Sequence, residues 1–446
     1  MHRGLPIQEQ EESAVRPSLP DVFSSVRVST SPQLWRRALG FIGPGFLISV
    51  GYMDPGNWAT DLAAGSRYGY TLLFAVMASN LLAILLQALS VKLGVATERD
   101  LAQACRDHYS KPVAIGLWAV AEIAIAACDL AEVIGSAIAL QLLFGIPLLL
   151  GVLITSVDVL LILFLQHRGF RYLEGVVIVL IATISVLFGI EIAFAHPAWG
   201  LIATRLLVPS QQIIANKDML YIAISILGAT VMPHNLYLHS SIVQTRNYPR
   251  TSAGKREAIW LASLDSAAAL FMALFVNAAI LVVAAAVFHS TGHRQVAEIG
   301  DAYKLLTPLL GVTGASTMFA IALLASGQNS TLTGTLAGQV VMEGFLQLRL
   351  PAWQRRLMTR LLAIVPTLIV TALWGASGTS QLLILSQVIL SMQLSFAVFP
   401  LIAFTSDASK MGEFVNRAWL RIAGWSAAIL IAALNGWLLV QMFRGR

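Results

Sequence analysis

The sequence predicts an all-α polytopic membrane protein of eleven transmembrane helices. Two five-helix halves lie inverted relative to one another, and helix 11 is an appendage. Three observations carry this expectation. Of 446 residues, 57% are hydrophobic and only 12% charged, about half the charged share of a soluble domain. Many apolar runs reach the roughly 18–25 residues that a helix needs to cross a bilayer. Finally, the first and sixth runs are interrupted by similarly spelled stretches, "DPGN" from Asp54 and "MPHN" from Met232.

The eleven runs are approximately 39–66, 70–94, 112–140, 144–166, 171–195, 217–243, 257–288, 312–346, 357–374, 379–405 and 418–443. Residues 1–38 read as a disordered cytoplasmic tail, because their Pro, Ser, Glu and Arg surround no apolar core. They also lack the apolar region and cleavage site of a secretory signal. Residues 39–195 form the first repeat, 196–216 an external connection, 217–405 the second repeat, and 406–446 a loop with helix 11. Cys105 and Cys128, the two cysteines, indicate neither a disulfide framework nor a cysteine zinc site.

Charge placement orients the chain. With the N-terminus inside, only seven of the 29 Lys and Arg fall on the outer side: Arg67, Arg205, Lys217, Arg294, Lys304, Arg444 and Arg446. This is the positive-inside bias, with an external C-terminus. It accounts for the net charge of +6 through the lipid bilayer and leaves no need for nucleic acid. No obligate protein partner is indicated.

Proline in a helix interior removes the bond to the carbonyl four residues earlier. Pro55 therefore frees the carbonyl of Gly51, and Pro233 frees that of Ala229. Because each half has an odd number of helices, helices 1 and 6 occupy corresponding, inverted positions. Paired interrupted helices of this kind mark a transporter's midplane site. Asp54 at bilayer depth costs about 2.5–3.5 kcal/mol, and no Lys or Arg stands in the centres of helices 1 or 6. A cation substrate compensates. Its ligands are the Asp54 carboxylate, the Asn57 amide oxygen, the carbonyls of Ala229 and Gly51, and the Met232 thioether. Sulfur turns the preference from Mg²⁺ and Ca²⁺ toward softer ions, hence Mn²⁺ or Fe²⁺, with Cd²⁺ as a toxic mimic.

"DPGN" and "MPHNLYLHS", together with "GQNSTLTGTLAGQVVMEGF" at 327–345, resemble the signatures of the Nramp family of proton-coupled divalent metal transporters. The resemblance covers nearly all of 39–443. It implies a LeuT-like fold, a cell (inner) membrane location, and symport of Mn²⁺ or Fe²⁺ with H⁺ by alternating access. No cofactor is implied, since metal and proton are cargo. It carries metal-holding roles onto Asp54, Asn57, Ala229 and Met232. Met232 separates the chain from a related magnesium-transporting branch, while Asn329 stands where many relatives have Ser.

Helix 3 places Glu122, Asp129 and Glu132 on one stripe, and His234 lies inside the second break; His is the side chain most easily titrated between pH 5 and 8. Asp54, His234, Asp129 and Glu132 form a candidate proton relay. The resemblance adds a cytoplasmic arginine of helix 9, for which Arg360 is preferred over Arg355 and Arg356. His239 suits packing or hydrogen bonding as well as proton transfer. Gln87, Asn277 and Gln387 are polar groups in apolar surroundings, suited to gating, to completing coordination or to interhelical hydrogen bonding. Three other readings compete: an amine or amino-acid transporter with Asp54 on an ammonium, a divalent-cation channel, and a membrane metalloenzyme. The last lacks an evident nucleophile or base beside the metal. No phosphate-binding loop for an ATP-driven pump is present.

Overall fold

The computed structural model describes residues 17–20, 23–155, 169–294, 296 and 298–443. The first apolar run is not one helix with one break. It divides into α1 (Leu34–Phe41), α2 (Pro44–Ser49), a 3-10 turn (Gly51–Met53) and α3 (Pro55–Tyr68). The break between α1 and α2 was not expected. It turns on Gly43, whose φ of 136° is a conformation that side-chain-bearing residues avoid.

Helices α4 (Leu73–Thr97), α5 (Leu101–His108) and α6 (Lys111–Phe144) follow, then a short α7 (Leu148–Ile154). The rest of the fourth expected span, beyond Thr155, lies outside the described residues. Next come α8 (Phe170–Ala195), α9 (Trp199–Leu207) and the second broken pair, α10 (Lys217–Thr230) and α11 (Pro233–Ile242). The connection expected over 196–216 thus contains a helix. Helices α12 (Ser252–Ala284), α13 (Ile299–Leu310), α14 (Ala315–Leu346), α15 (Ala352–Thr405) and α16 (Ala418–Phe443) complete the chain. Gly375, at φ 63°, divides α15 in two.

Among the described residues, 7 helical stretches are long and apolar enough to cross a membrane, against eleven expected. Part of the difference is α14, which has 32 residues. It buries Ser326, Asn329, Ser330, Thr331, Thr333 and Thr335, so it is amphiphilic within the protein interior rather than uniformly apolar. The core is aliphatic, with Trp58 of α3 wedged edge-on between Phe188 of α8 and Phe319 of α14.

The break at Gly43 leaves carbonyls at the end of α1 without helical donors. Two arginines take them. Arg246 donates from Nε to Gly40 O at 3.1 Å and from Nη2 to Ile42 O at 2.8 Å. Arg171 donates to Leu39 O at 2.8 Å and to Ile42 O. Arg246 is fully buried and pairs with Glu174 Oε1 at 2.7 Å, while Asp265 accepts from the Gly45 backbone N–H at 2.7 Å.

The expected disordered tail also differs. Val26–Arg27 forms strand β1, parallel to β2 (Arg246–Asn247). Ser18, Leu19 and Val26 are buried, and Ser18 Oγ donates to Asp100 Oδ2 at 2.5 Å. Residues 17–20 and 23–33 are therefore an arm anchored through Ser18, Leu19 and Val26 at the end where α4 meets α5. Its few apolar side chains fill gaps between helix ends, and its backbone finds the β2 edge, which local composition does not reveal. Asp100 also caps α5, accepting from Gln103 N at 2.8 Å.

Arg246→Met removes the buried partner of Glu174 Oε1, leaving only Arg171 on its Oε2, and costs about 3–5 kcal/mol. Adding Glu174→Gln recovers part of that loss, which a double-mutant cycle of thermal midpoints in detergent measures. A second expectation concerns pH. Burial pushes the Asp100 carboxyl up to about 6, against the opposing hydrogen bonds from Ser18 and Gln103. A raised folded-state value means its stabilising contribution is complete below the ordinary carboxylate range and is lost as pH rises through about 6. The thermal midpoint should therefore fall between about pH 4 and 6 by more in the native chain than in Asp100→Asn.

Candidate functional site

The two broken helices meet where their backbones leave the helical path. Asp54, with φ −66° and ψ 165°, caps α3 and accepts from Asn57 N at 2.8 Å. Pro55 follows at the first helical position, where a missing N–H is tolerated. Met232, with φ −76° and ψ 121°, plays the equivalent part before Pro233 and α11. Gly51 lets the two breaks touch. A Cβ there would stand 3.2 Å from Met232 Sδ and inside the van der Waals radius of Asn235 Nδ2.

Pro233 lacks the N–H that would occupy Ala229 O, and that oxygen instead accepts from Asn57 Nδ2 at 2.9 Å. The same Nδ2 donates to Asp54 Oδ1 at 2.7 Å. Asp54 Oδ2 is buried and has no hydrogen-bond partner. The sequence expects the Asn57 amide oxygen to face the cation. In the structure its nitrogen faces the two acceptors, and Oδ1 turns to Asn277 Nδ2 at 3.3 Å. The physical reason is that carboxylate and carbonyl are both acceptors, so the donor end of the amide satisfies them.

At the first break the carbonyls recapped by side chains are those of Tyr52 and Met53, one and two residues beyond the expected Gly51. Tyr52 O accepts from Asn277 Nδ2 at 2.7 Å. Met53 O accepts from Trp58 Nε1 at 3.2 Å and from Ser326 Oγ. Gly51 enters a 3-10 turn, which shifts the register of the orphaned oxygens.

The other candidates divide into three groups. Gln387 and Asn277 adjoin the breaks: a Cβ on Gly56 would collide with the Gln387 amide, and Asn277 bridges Tyr52 O to Asn57. Gln87 is tied elsewhere, donating to Tyr52 Oη at 2.7 Å and meeting His239 Nδ1 at 2.9 Å. On α6, Asp129 and Glu132 are buried, and Asp129 lies within electrostatic reach of His234. Both ring nitrogens of buried His234 lack hydrogen-bond partners. Glu122 stands apart, half-buried and held by Trp118 Nε1 at 3.1 Å. It is two turns from Asp129, roughly 10 Å along the helix. The side chain of Arg360 lies outside the described residues.

Sequence reasoning missed the buried Glu174, Asp265 and Arg246, as well as Asp61 and Glu191, whose carboxylates are buried without hydrogen-bond partners. Each is an ionisable residue inside or at the edge of an apolar run, which is the signal that would have found them. Among the described residues no trio of His, Cys, Asp and Glu is arranged to hold a metal. A cation at the breaks relies on carboxylate, amide, carbonyl and thioether instead.

A helical membrane body with buried polar groups gathered at two helix breaks has the architecture of a membrane transport protein. Comparison with known proteins narrows the class. Residues 45–441 match the profile of the family described as natural resistance-associated macrophage protein-like, and the chain belongs to this Nramp family. It is 63% identical over 430 residues to the divalent metal cation transporter MntH of a Nostoc species, covering 96% of this chain and 97% of that one. The crystal structure of the Eremococcus coleocola manganese transporter superposes with a TM-score of 0.88 at 41% identity, covering 94% of this chain and 90% of the other. Mhp1, a nucleobase-cation-symport-1 family transporter, matches with a TM-score of 0.58 at 14% identity, covering 90% of this chain and 93% of its own; this likeness shows the fold alone.

Proposed function

We propose that the chain is a secondary active transporter carrying Mn²⁺ or Fe²⁺ into the cytoplasm together with protons, by alternating access. The observation that supports this best is the double use of Asn57 Nδ2, which touches Asp54 Oδ1 at 2.7 Å and Ala229 O at 2.9 Å. One point thus lies within contact of a carboxylate and a freed carbonyl. A cation taking that point also draws on Asp54 Oδ2, on Met232, and on Asn57 Oδ1 once the amide turns. Oxygens with one thioether favour Mn²⁺, Fe²⁺ and Cd²⁺ over Mg²⁺ and Ca²⁺. The manganese and divalent-metal names of the similar proteins agree with that choice.

The proposed architecture is a LeuT-like pair of inverted five-helix repeats plus helix 11, and the paired breaks at α2–α3 and α10–α11 support it. The positive-inside bias supports a cytoplasmic N-terminus and an external C-terminus in the cell (inner) membrane. Protons pass by Asp54, His234, Asp129 and Glu132, with Glu122 and Arg360 extending the route toward the cytoplasm. An inside-negative potential adds about 4.6 kcal/mol per 100 mV for a divalent cation.

Uptake of Mn²⁺ into proteoliposomes loaded with a pH dye tests the reading. Internal acidification should accompany Mn²⁺ entry; large currents without acidification indicate a channel, and uptake of a labelled amine that other amines block but Mn²⁺ does not indicates an amine carrier. Asp54→Asn should reduce uptake to background while the protein still elutes as a monodisperse species. Normal uptake by that variant removes Asp54 from the site. Met232→Ala should keep part of the Mn²⁺ uptake but narrow the preference over Ca²⁺ by about tenfold, the effect of roughly 1.4 kcal/mol. An unchanged Ca²⁺ competition curve would refute the thioether's role.

A further inference from the structure

The far end of α3 carries a cavity that the proposed transport cycle does not use. Its volume is about 450 Å³, and its walls come from the 3-10 turn after α3 (Gly69–Leu72), from α9 and from the π-helical turn after α12 (Ala285–His289). Tyr68 in its wall closes α3, roughly 20 Å along the helix from Asp54. The lining is rich in unspent donors. The Arg205 guanidinium and the hydroxyls of Tyr68 and Thr71 have no partner among the described residues. Tyr70 Oη accepts from Ala198 N at 3.5 Å, so its own hydrogen stays free. His289 donates from Nδ1 to Ser66 O at 2.9 Å, which leaves Nε2 to accept from an O–H of a ligand or, once protonated, to donate to it. No Asp or Glu stands among the lining residues.

Two backbone features set this cavity apart from an ordinary crevice. His196 in its wall holds a φ of 46°, a left-handed conformation that costs a side-chain-bearing residue energy. The turn that presents His289 is π-helical, a form found mostly at functional sites. A guanidinium, three free hydroxyls and two imidazoles around a space without carboxylates suit an anion with several acceptor oxygens. We propose that this cavity binds a phosphate group. Two sources can supply it. No residue of α9 is buried, and Trp199 and Leu207 are 63% and 70% exposed, the make-up of a helix lying in the membrane interface beside lipid headgroups. Free phosphate from the surroundings is the other source. Because Ser66 ties the end of α3 to His289 and to Val296 O, an occupant braces that end against α9 and the turn after α12.

The test follows the thermal midpoint of the full chain in detergent as each ligand is added, since a ligand of the folded state raises it. Inorganic phosphate is compared with acetate and chloride at equal ionic strength, and dioctanoyl phosphatidylglycerol with dioctanoylglycerol, which lacks the phosphate. Phosphate or phosphatidylglycerol should raise the midpoint above its controls. Arg205→Gln should shift that response to about tenfold higher concentration, the usual effect of losing one charge-assisted hydrogen bond. Arg294→Gln, outside the cavity lining, should leave it unchanged. If Arg205→Gln fails to fold, His196→Asn replaces it, because Asn tolerates the left-handed conformation. A response to inorganic phosphate identifies the free anion as ligand, and a response to phosphatidylglycerol alone identifies the headgroup; each upholds the site. No response to either, a response that acetate matches, or one that survives Arg205→Gln undiminished overturns it.

Discussion

A backbone carbonyl with no donor cannot be left in hydrocarbon, because nothing there can pair with it. Every special feature of this protein follows from where its helices stop and how the exposed oxygens are repaid. At the end of α1, Arg171 and Arg246 take the carbonyls of Leu39, Gly40 and Ile42. At the 3-10 turn, Asn277, Trp58 and Ser326 take those of Tyr52 and Met53. At the second break Asn57 alone reaches Ala229 O. The first set uses charged donors, which hold strongly. The last uses one neutral amide, which a cation can outbid. The candidate site is therefore the least firmly capped of the three breaks.

This difference also separates the firmly capped break from the loosely capped one. The Arg246–Glu174 pair is buried on both sides and tied to two backbone positions of the α1–α2 bend, Gly40 O and Ile42 O. Breaking it exposes charge to a low-dielectric interior, so the bend and the ends of α8 and α11 move as a unit or not at all. The arm that ends in β1 reinforces the same unit through its pairing with β2, whose first residue is Arg246 itself. Asn57, by contrast, holds Ala229 O and Asn277 through neutral hydrogen bonds, each worth about 1 kcal/mol net.

The legible part of the molecule was the part governed by local chemistry. Proline's missing N–H is a property of one residue, so the positions of Pro55 and Pro233 sufficed to locate both central breaks and to single out Ala229. Asn277 and Gln387 were visible as amides in apolar runs, although the carbonyl or helix end each one meets was not. The break at Gly43 escaped, because its cause is a cluster of Arg171, Glu174, Arg246 and Asp265 drawn from segments far apart in the chain. The packed arm escaped for the same reason: Ser18 is polar in its own neighbourhood and finds Asp100 only in three dimensions. The register of the first break was misjudged by a residue or two, since a 3-10 turn redistributes which oxygens are orphaned.

Tyr52 shows how the site is joined to the rest of the bundle. Its carbonyl accepts from Asn277 of α12, and its hydroxyl accepts from Gln87 of α4, which in turn meets His239 of α11. Asn277 spends its two N–H groups on Tyr52 O and Asn57 Oδ1. If Asn57 turns its oxygen toward a cation, its amide nitrogen comes to face the Asn277 nitrogen, donor against donor. Asn277 must then rotate or withdraw, and Tyr52 O loses its cap. In the proposed function, a cation arriving at Asp54 would thus loosen the first helix break through one hydrogen-bond exchange, carried by two amides and one carbonyl. A mechanism that couples cargo to helix movement needs a step of this kind, in which a ligand's arrival removes the bond that held the hinge.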